Sequence, residues 1–417
     1  MKAGFAKISI LPKEPVSLAG YAKDMPRLYT HVLDEPQARA IALSDDRHAV
    51  IVISGDFLTP SDRLAAATKA YAREKLPAGG DIVLHAHHTH SGPGNYWDHP
   101  VAKHFMGAFR QEVFEFMASR FAEAAVRAWI AQDHALVRFA QEDLHEGLQE
   151  NRRRADGPLD PKLSAFGFHH ADGRPMGAIV HFSGHPVIVA ERDFLAASGD
   201  FPGAVSARLE KEFPICLFLN GALGGLSIWF PETPIEVREH LGKVADPIAK
   251  SAEKLINETK STDAGIAFSR QTVALPTASA KPFPPGYAWW TPIFHPVVMY
   301  WDHIAKKGFS EPRVTTLSAL RIGEAAFVFH PSDFGVGSGL RTRENGKAAG
   351  LHAIPVCHAD DYAGYIHPAS EMLIKPKPEK EFRFMTIYEN LMGFHGRGAY
   401  ARFEEAEKKA LGEISLK

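Results

Sequence analysis

The sequence predicts an α/β fold in which a central mixed β-sheet is flanked by helices, within a single large domain of residues 1–417. Short apolar runs alternate with longer amphipathic stretches over most of the chain, and this alternation is typical of layered α/β proteins. The composition, 45% hydrophobic and 23% charged, is that of a globular domain with enough apolar side chains for a large core. We find no internal repeat and no shift in composition that would mark a domain boundary.

The predicted strands are short apolar runs rich in β-branched and aromatic side chains. In chain order they are FAKISI, ARAIALS, HAVIVIS, DIVLHA, ALVRFA, LSAFGFHH, MGAIVHFS, ICLFLN, VTTLSALRI and AAFVFH. Asp172-Gly173 lies between two of these runs, and this dipeptide is typical of a tight hairpin. Because a hairpin places its two strands antiparallel, we expect the sheet to be mixed rather than wholly parallel.

Three long stretches have the periodicity of amphipathic helices. PSDRLAAATKAYAREKL opens with a Ser-Asp start signal, and RQEVFEFMASRFAEAAVRAWI repeats apolar residues every three or four positions. TPIEVREHLGKVADPIAKSAEKLINE continues the pattern. Pro247 in this third stretch is expected to kink or divide the helix, since proline removes a backbone donor.

Residues 281–301 interrupt the alternation, with five prolines and seven aromatic residues. Proline at this density disfavours helix and sheet interiors, so we expect a long excursion. Its aromatic side chains suit a binding wall or a subunit interface, with core packing as the alternative. Assembly into a homo-oligomer is therefore left open.

Composition excludes several classes of protein. Lys and Arg number 47 against 49 Asp and Glu, for a formal charge of −2, so bulk charge does not favour a nucleic-acid partner. The two cysteines, Cys216 and Cys357, indicate no disulfide framework. No run approaches the roughly 20 apolar residues of a membrane span, and the start, MKAGFAKISILPKEP, does not resemble a signal peptide. We expect a cytoplasmic protein.

Four histidines occupy six positions in HAHHTHSGPG, at residues 85–94, directly after the apolar run DIVL. Ser-Gly-Pro-Gly cannot continue a strand, so these histidines lie at a strand end. Side chains at strand ends of α/β proteins face the crevice where ligands bind. The cluster therefore predicts a metal site or an acid–base site, with hydrogen-bonded structural histidines as an equally open alternative.

Two further strand ends carry metal-binding residue types. His185 follows the run AIVHF, and Asp333 follows AAFVF in the stretch HPSDFG. Two histidines and a carboxylate, with a fourth position for water or another oxygen ligand, are the usual donors of a catalytic zinc site. The three segments together match a Zn²⁺ site in their residue types, and the polar strand ends of an ordinary α/β protein are the alternative.

These segments, in this order, resemble the catalytic domain of the neutral/alkaline ceramidase family, zinc-dependent amidases that cleave N-acyl sphingosine. HHTHSGPG matches the family's Thr-His-Thr-His-Ser-Gly/Ala-Pro-Gly motif, FSGHP its second histidine element, HPSDFG its Pro-Gly-Glu-Pro element and DDYAGYI its Asn-Asp-Tyr-x-x-Tyr-Ile segment. The resemblance implies that the metal ligands are His88, His185, Asp333 and Tyr365. Asp333 is one methylene shorter than the glutamate of the family.

The same resemblance implies four catalytic or substrate-contacting residues. His90 falls on a substrate-contacting histidine, and ENRRR places Arg152 on an active-site arginine. GGLSIW aligns Ser227 with an active-site serine, although Gly225 replaces the usual acidic or amide residue, and YEN places Tyr388 on a tyrosine. The family's C-terminal immunoglobulin-like domain and secretion signal have no counterpart here.

The expected activity is zinc-dependent hydrolysis of an amide or ester bond through attack by a metal-bound hydroxide. His90 or Tyr388 would stabilise the oxyanion, and His90, with a pKa near neutrality, would protonate the leaving amine. Arg152 would orient a polar substrate group or form a surface ion pair, and Ser227 lacks the Gly-x-Ser-x-Gly context of a serine hydrolase.

Two other functions are open: a metal-binding but non-catalytic binding module, and a metallo-hydrolase of a small ester or lactone. The substrate is expected to be a small-molecule or lipid-like acyl compound. The missing leader and second domain favour the smaller substrate, whereas the aromatic segment favours the lipid.

Overall fold

The computed structural model describes residues 1–21, 27–77, 79–144, 147–279, 291–308, 313–372 and 384–416. The strands in these ranges are β1 (Lys2–Ser9), β2 (His31–Val32), β3 (Gln37–Ser44), β4 (Ala49–Gly55), β5 (Asp81–Ala86), β6 (Asp133–His134), β7 (Leu136–Asp143), β8 (Gln149–Asn151), β9 (Lys162–His169), β10 (Pro175–Phe182), β11 (Ala196–Ala197), β12 (Cys216–Asn220), β13 (Leu226–Ile228), β14 (Ile266–Ala274), β15 (Val314–Ile322), β16 (Ala325–Phe329), β17 (Asp333–Phe334), β18 (His352–Val356) and β19 (Tyr365–Ile366). The helices are α1 (Asp62–Arg73), α2 (Ala102–Met106), α3 (Gln111–Ile130), α4 (Ile188–Arg192), α5 (Asp200–Leu209), α6 (Val237–Glu258), α7 (Thr291–Gly308), α8 (Val336–Ala348), α9 (Ala369–Met372), α10 (Phe384–Met392) and α11 (Ala399–Glu413).

Three sheets of four or five strands organise the described ranges. Their strand orders are β5-β4-β3-β1-β6, β12-β10-β9-β7 and β14-β15-β16-β18. Each contains one parallel pair among antiparallel neighbours, namely β4 with β5, β10 with β12, and β16 with β18. The predicted α/β class and the mixed strand directions are confirmed, and the β structure is divided among several sheets instead of forming one.

The three sheets share an apolar core. Ile41 of the first sheet, Phe166 of the second and Phe327 of the third belong to one cluster of buried side chains. Because successive side chains of a strand point to opposite faces, the outer face of each sheet needs its own cover. Helices α1 and α3 cover the first sheet, α5 and α6 the second, and α8 and α11 the third. Burial on both faces explains why runs such as AVIVISG are continuously apolar.

Local predictions have mixed outcomes. The hairpin at Asp172-Gly173 is confirmed, since β9 and β10 pair antiparallel across it. Helix α6 continues through Pro247 as one element, so the helix is not divided there.

The segment of residues 281–301 only partly follows its prediction. Residues 281–290 lie outside the described ranges, whereas residues from Thr291 onward belong to helix α7. The predicted excursion from regular structure is therefore wrong for residues 291–301, which are helical. Pro292 occupies the first turn, where its missing N–H has no intrahelical acceptor in any case. Among the helices of the described ranges, none combines the length and apolar character needed to cross a bilayer.

Candidate active site

The candidate site lies at the carboxyl ends of strands from all three sheets. His88 and His90 follow β5, His185 follows β10, and Asp333 follows β16. Carboxyl ends of parallel strands are where open α/β sheets bind ligands. A cavity of about 380 Å³ opens at this point, and all eight predicted site residues line it: His88, His90, Arg152, His185, Ser227, Asp333, Tyr365 and Tyr388.

Four of these side chains present nitrogen or oxygen atoms at the spacing of metal ligands. His88 Nε2 lies 3.4 Å from His90 Nε2 and 3.5 Å from Asp333 Oδ1. His90 Nε2 lies 3.1 Å from His185 Nε2. In a tetrahedral site with bonds of about 2.1 Å, neighbouring ligand atoms are about 3.4 Å apart. These atoms belong to two overlapping groups that share His88, namely His88, His90 and His185 in one and His88, Asp333 and His358 in the other, and both groups offer donor types that zinc binds.

The backbone and one hydrogen bond fix the direction in which His88 points. Its φ of 68° is in the left-handed region, which turns the chain sharply after the strand. Nδ1 lies 2.9 Å from the carbonyl oxygen of Leu58. A carbonyl can only accept, so Nδ1 carries the proton and Nε2 presents a lone pair to the cavity. Such a partner on the second ring nitrogen is usual for metal-binding histidines.

The three clustered histidines are neutral imidazoles. Burial is the main cause: it lowers the pKa of His88 to about 3 and holds the pKa values of His90 and His185 well below their usual range. Neighbouring positive groups, Arg152 among them, lower the pKa further. Neutral imidazole is the form that binds metal. The expectation that His90 has a pKa near neutrality is wrong for the metal-free chain, because burial disfavours the imidazolium.

Asp333 is ionised and held by two donors. Although burial raises the pKa of its carboxyl, nearby His88 and His358 and the hydrogen bonds from His358 and Tyr362 lower it below its usual value. Tyr362 donates to Oδ2 at 2.7 Å, and His358 Nε2 lies 3.1 Å from Oδ1. A charged carboxylate is therefore available beside His88.

Tyr365 and Arg152 form a buried polar pair. Strands β17 and β19 pair Asp333 with Tyr365, and Arg152 donates to the Tyr365 hydroxyl at 2.8 Å. Arg152 also donates to Glu389 at 2.7 Å, and the side chain of Glu389 is fully buried. Arg152 is thus not part of a surface ion pair. Its guanidinium lies in the cavity wall, where it is hydrogen-bonded to Tyr365 and Glu389.

Ser227 and Tyr388 lie on the cavity wall without a base beside them in the described structure. Ser227 Oγ donates to the carbonyl of Ile228 at 3.2 Å. The Tyr388 ring meets the Tyr365 ring edge-on, with centroids 6.0 Å apart. Burial raises the pKa of Tyr388, so its hydroxyl is a neutral donor. Among the described residues, none that could act as a base is hydrogen-bonded to Ser227 Oγ, so no group is in place there to activate it as a nucleophile.

Only half of the histidine cluster read from the sequence reaches the cavity. His85 Nδ1 pairs with Ser54 Oγ at 2.8 Å, and His87 Nδ1 pairs with Asp56 at 2.6 Å. Both rings are fully buried. They are structural histidines, which the sequence alone did not separate from His88 and His90.

Sequence reasoning missed several residues that build the site. Asn220, at the end of β12, donates to the carbonyls of His87 and Gly184 at 2.9 Å each, and so ties the two histidine-bearing loops together. Tyr362 donates a hydrogen bond to Asp333, and Glu389 accepts one from Arg152. The signal for His358 was present, since it follows the apolar run AIPVC as His185 follows AIVHF.

One wall of the cavity is apolar. It comes from helix α2 and its neighbourhood, with Trp97, Val101 and Phe105, and from Met392. Ile304 of α7 packs in the same cluster of side chains as Val101 and Met392. Ile304 follows the predicted aromatic segment on the same helix, whereas Trp289 and Trp290 of that segment lie outside the described residues.

Comparison with solved structures identifies proteins that have the same fold. No protein-family model matches the chain, and no curated protein matches its sequence. Among solved structures, neutral ceramidase from Pseudomonas aeruginosa matches with a TM-score of 0.81 and 17% identity, over 100% of this chain and 75% of that chain. A structure of ceramidase complexed with C2 matches with a TM-score of 0.79 and 17% identity, over 99% of this chain and 74% of that chain. The chain therefore has the fold of neutral ceramidase.

Proposed function

We propose that the protein is a zinc-dependent hydrolase of amide or ester bonds, similar to ceramidase. The observation that carries the proposal is a pair of overlapping groups of possible metal ligands beside a cavity, which share His88 and include His185 in one and Asp333 in the other. The shared fold supports the same reaction class, since the related structures are those of ceramidases. The predicted cytoplasmic location and a homo-oligomeric state remain predictions.

His88, His185, Asp333 and Tyr365 would hold the metal. Bound zinc supplies Lewis acidity, which polarises a carbonyl and lowers the pKa of water to about 7. Asn220 fixes the spacing of the two histidine loops, and Arg152 fixes the Tyr365 hydroxyl. The chain thus holds its donors in place before the substrate arrives, which limits reorganisation during the reaction.

The remaining side chains act on the substrate. His90 is neutral, so its Nε2 can accept a hydrogen bond from the attacking water and take its proton as the new bond forms. Because burial disfavours the imidazolium, that cation is a strong acid, which returns the proton to the leaving amine. The neutral Tyr388 hydroxyl can donate to the oxyanion, a contact of about 3 kcal/mol in comparable sites. Arg152 and Ser227 would orient polar groups of the substrate.

Chelation provides the direct test. Hydrolysis of an N-acyl or ester substrate is expected to disappear on removal of the metal and to return with added zinc, while Ser227→Ala keeps most of the activity. Activity that survives complete metal removal but is lost in Ser227→Ala would contradict the proposal and indicate a serine nucleophile. Full metal occupancy with no turnover across amides and esters would favour a non-catalytic binding module.

Substrate size is the second question, and we favour a smaller acyl compound. The cavity of about 380 Å³ lies near the lower end of the roughly 300–1,000 Å³ range of small-molecule sites. Each acyl methylene that enters contributes up to about 0.8 kcal/mol, or about fourfold in kcat/KM. We therefore expect kcat/KM to rise over the first several methylenes of an amide series and then level off.

Phe105→Ala opens the apolar wall and is expected to flatten this rise. The double variant Trp289→Ala, Trp290→Ala tests the aromatic segment in the same series. A steep rise that continues to long chains, and that either variant abolishes, would refute the small-substrate preference and indicate a lipid amidase.

A further inference from the structure

His358 lies beside the proposed ligands His88 and Asp333, and the roles proposed above for metal binding and substrate contact do not include it. It follows strand β18, and its side chain is fully buried. Nε2 lies 3.1 Å from Asp333 Oδ1, and Nδ1 lies 3.1 Å from Thr59 Oγ1. Its Nε2 is also within ligand spacing of His88 and Asp333. His358 could thus be a ligand or a donor that holds Asp333.

Ring stacking decides between these roles. The His358 ring stacks on the His88 ring, with centroids 4.1 Å apart and planes 13° from parallel. An imidazole nitrogen binds a metal along its lone pair, which lies in the plane of the ring. Two stacked rings direct their lone pairs along nearly parallel planes, so these do not meet at one ion about 2.1 Å from each nitrogen. If His88 binds the metal, His358 does not bind the same ion.

We propose that His358 is a positioning residue, which donates its Nε2 proton to Asp333 Oδ1 and thereby sets the carboxylate against the metal. The Thr59 hydroxyl lies 3.1 Å from Nδ1 and 3.4 Å from the Pro60 carbonyl, and donation of its single proton to the nearer Nδ1 would select this tautomer. Tyr362 holds the other carboxylate oxygen, so the rotation of Asp333 is restricted at both oxygens. Oδ1 keeps a further lone pair and lies 3.5 Å from His88 Nε2.

Asp333 has a short side chain, so its orientation towards the metal depends on these hydrogen bonds. Aspartate has one methylene fewer than glutamate, so its oxygens reach the ion only from a narrow range of orientations. Partners that orient a metal ligand typically change metal affinity 10- to 100-fold when they are removed. The inference rests on the proposed metal site.

The test compares His358→Leu with His358→Gln. Leucine removes the donor, whereas glutamine keeps an N–H at about the reach of histidine Nε2. Zinc affinity is measured by competition with a chelating dye, and the cobalt(II)-loaded protein is examined by visible absorption, which reports coordination geometry. We expect His358→Leu to weaken zinc binding 10- to 100-fold and to alter the cobalt spectrum, and His358→Gln to restore both close to wild type.

A matched control is His181→Leu, which removes an equally buried histidine whose Nε2 contacts the Pro355 carbonyl at 2.7 Å. This variant is expected to lower the Tm while keeping wild-type zinc affinity. If His358→Leu does not fold, Thr59→Val removes the hydroxyl beside Nδ1 in a residue of the same shape and should weaken zinc binding in the same direction.

Three outcomes would overturn the inference, and they are distinguishable. If His358→Leu keeps the zinc affinity and the cobalt spectrum of the wild type, His358 has no positioning role. If that variant does not fold, the same result in Thr59→Val leads to the same conclusion. Equal loss in the glutamine and leucine variants would make the nitrogen itself a ligand. A wild-type chain that binds no zinc would refute the proposed function, and this inference with it.

Discussion

Replacing His88 or His185 with alanine is expected to weaken zinc binding by more than the roughly 100-fold that loss of an orienting partner costs, and to abolish hydrolysis. Each variant leaves a site with one ligand fewer, and the lost imidazole is one that burial keeps neutral and ready to bind. Zinc content by elemental analysis and zinc affinity by chelator competition measure the effect.

Two variants serve as comparisons for this experiment. His90→Ala is expected to keep most of the zinc but to lose turnover, because the four proposed ligands remain while proton transfer is removed. His181→Ala removes a buried histidine that belongs to neither group of candidate ligands. This variant should keep both its zinc and its turnover. Unchanged zinc occupancy in His88→Ala and His185→Ala would contradict the ligand assignment.

Glu389→Gln is expected to lower the free energy of unfolding by about 3–5 kcal/mol, the usual cost of removing one partner from a buried ion pair. Arg152 donates to Oε1 at 2.7 Å, and Arg153 Nε lies 3.4 Å from Oε2. Both arginines have little exposure, so the substitution leaves their charges without the carboxylate. Denaturant titration of both proteins measures the difference.

The same pair predicts a pH dependence. Burial raises the pKa of Glu389, but Arg152, His367 and Arg153 outweigh it and lower the pKa from 4.5 to about 2. As the pH falls below 4.5, the unfolded chain takes up this proton before the folded chain does. The contribution of Glu389 is therefore complete above pH 4.5 and is lost as the pH falls towards 2.

The stability difference between wild type and Glu389→Gln should accordingly be constant above pH 4.5 and shrink below it. Glu407→Gln is the control, since Glu407 is also buried but lies beside Thr342, Asn345 and His330 rather than beside an arginine. Glu407→Gln is expected to lower the free energy of unfolding by less than Glu389→Gln does. A difference for Glu389→Gln that stays constant down to pH 2 would show that the carboxylate does not act through its charge.

The sequence was sufficient for the α/β class and for the neighbourhood of the site. Apolar runs and hairpin signals are local, so they locate β5, β10 and β16 without knowledge of packing. A polar residue directly after such a strand must leave the sheet at its end, and this rule, with the family resemblance, led to His88, His185 and Asp333. The same rule applies to His358, but no motif singled it out.

Tertiary packing decided what no local pattern contains. Division into three sheets around one core depends on which strands pair, and these pairings join distant segments. Arg152 lies next to arginines in the sequence, which left a surface ion pair open beside an active-site role, yet its partner Glu389 is 237 positions away. The direction of each histidine ring is also a packing property: His85 and His87 turn towards buried partners, while the positive φ of His88 turns its ring to the cavity. A sequence therefore predicts which residues reach a strand end, whereas the contacts of the folded chain determine which of them share a site.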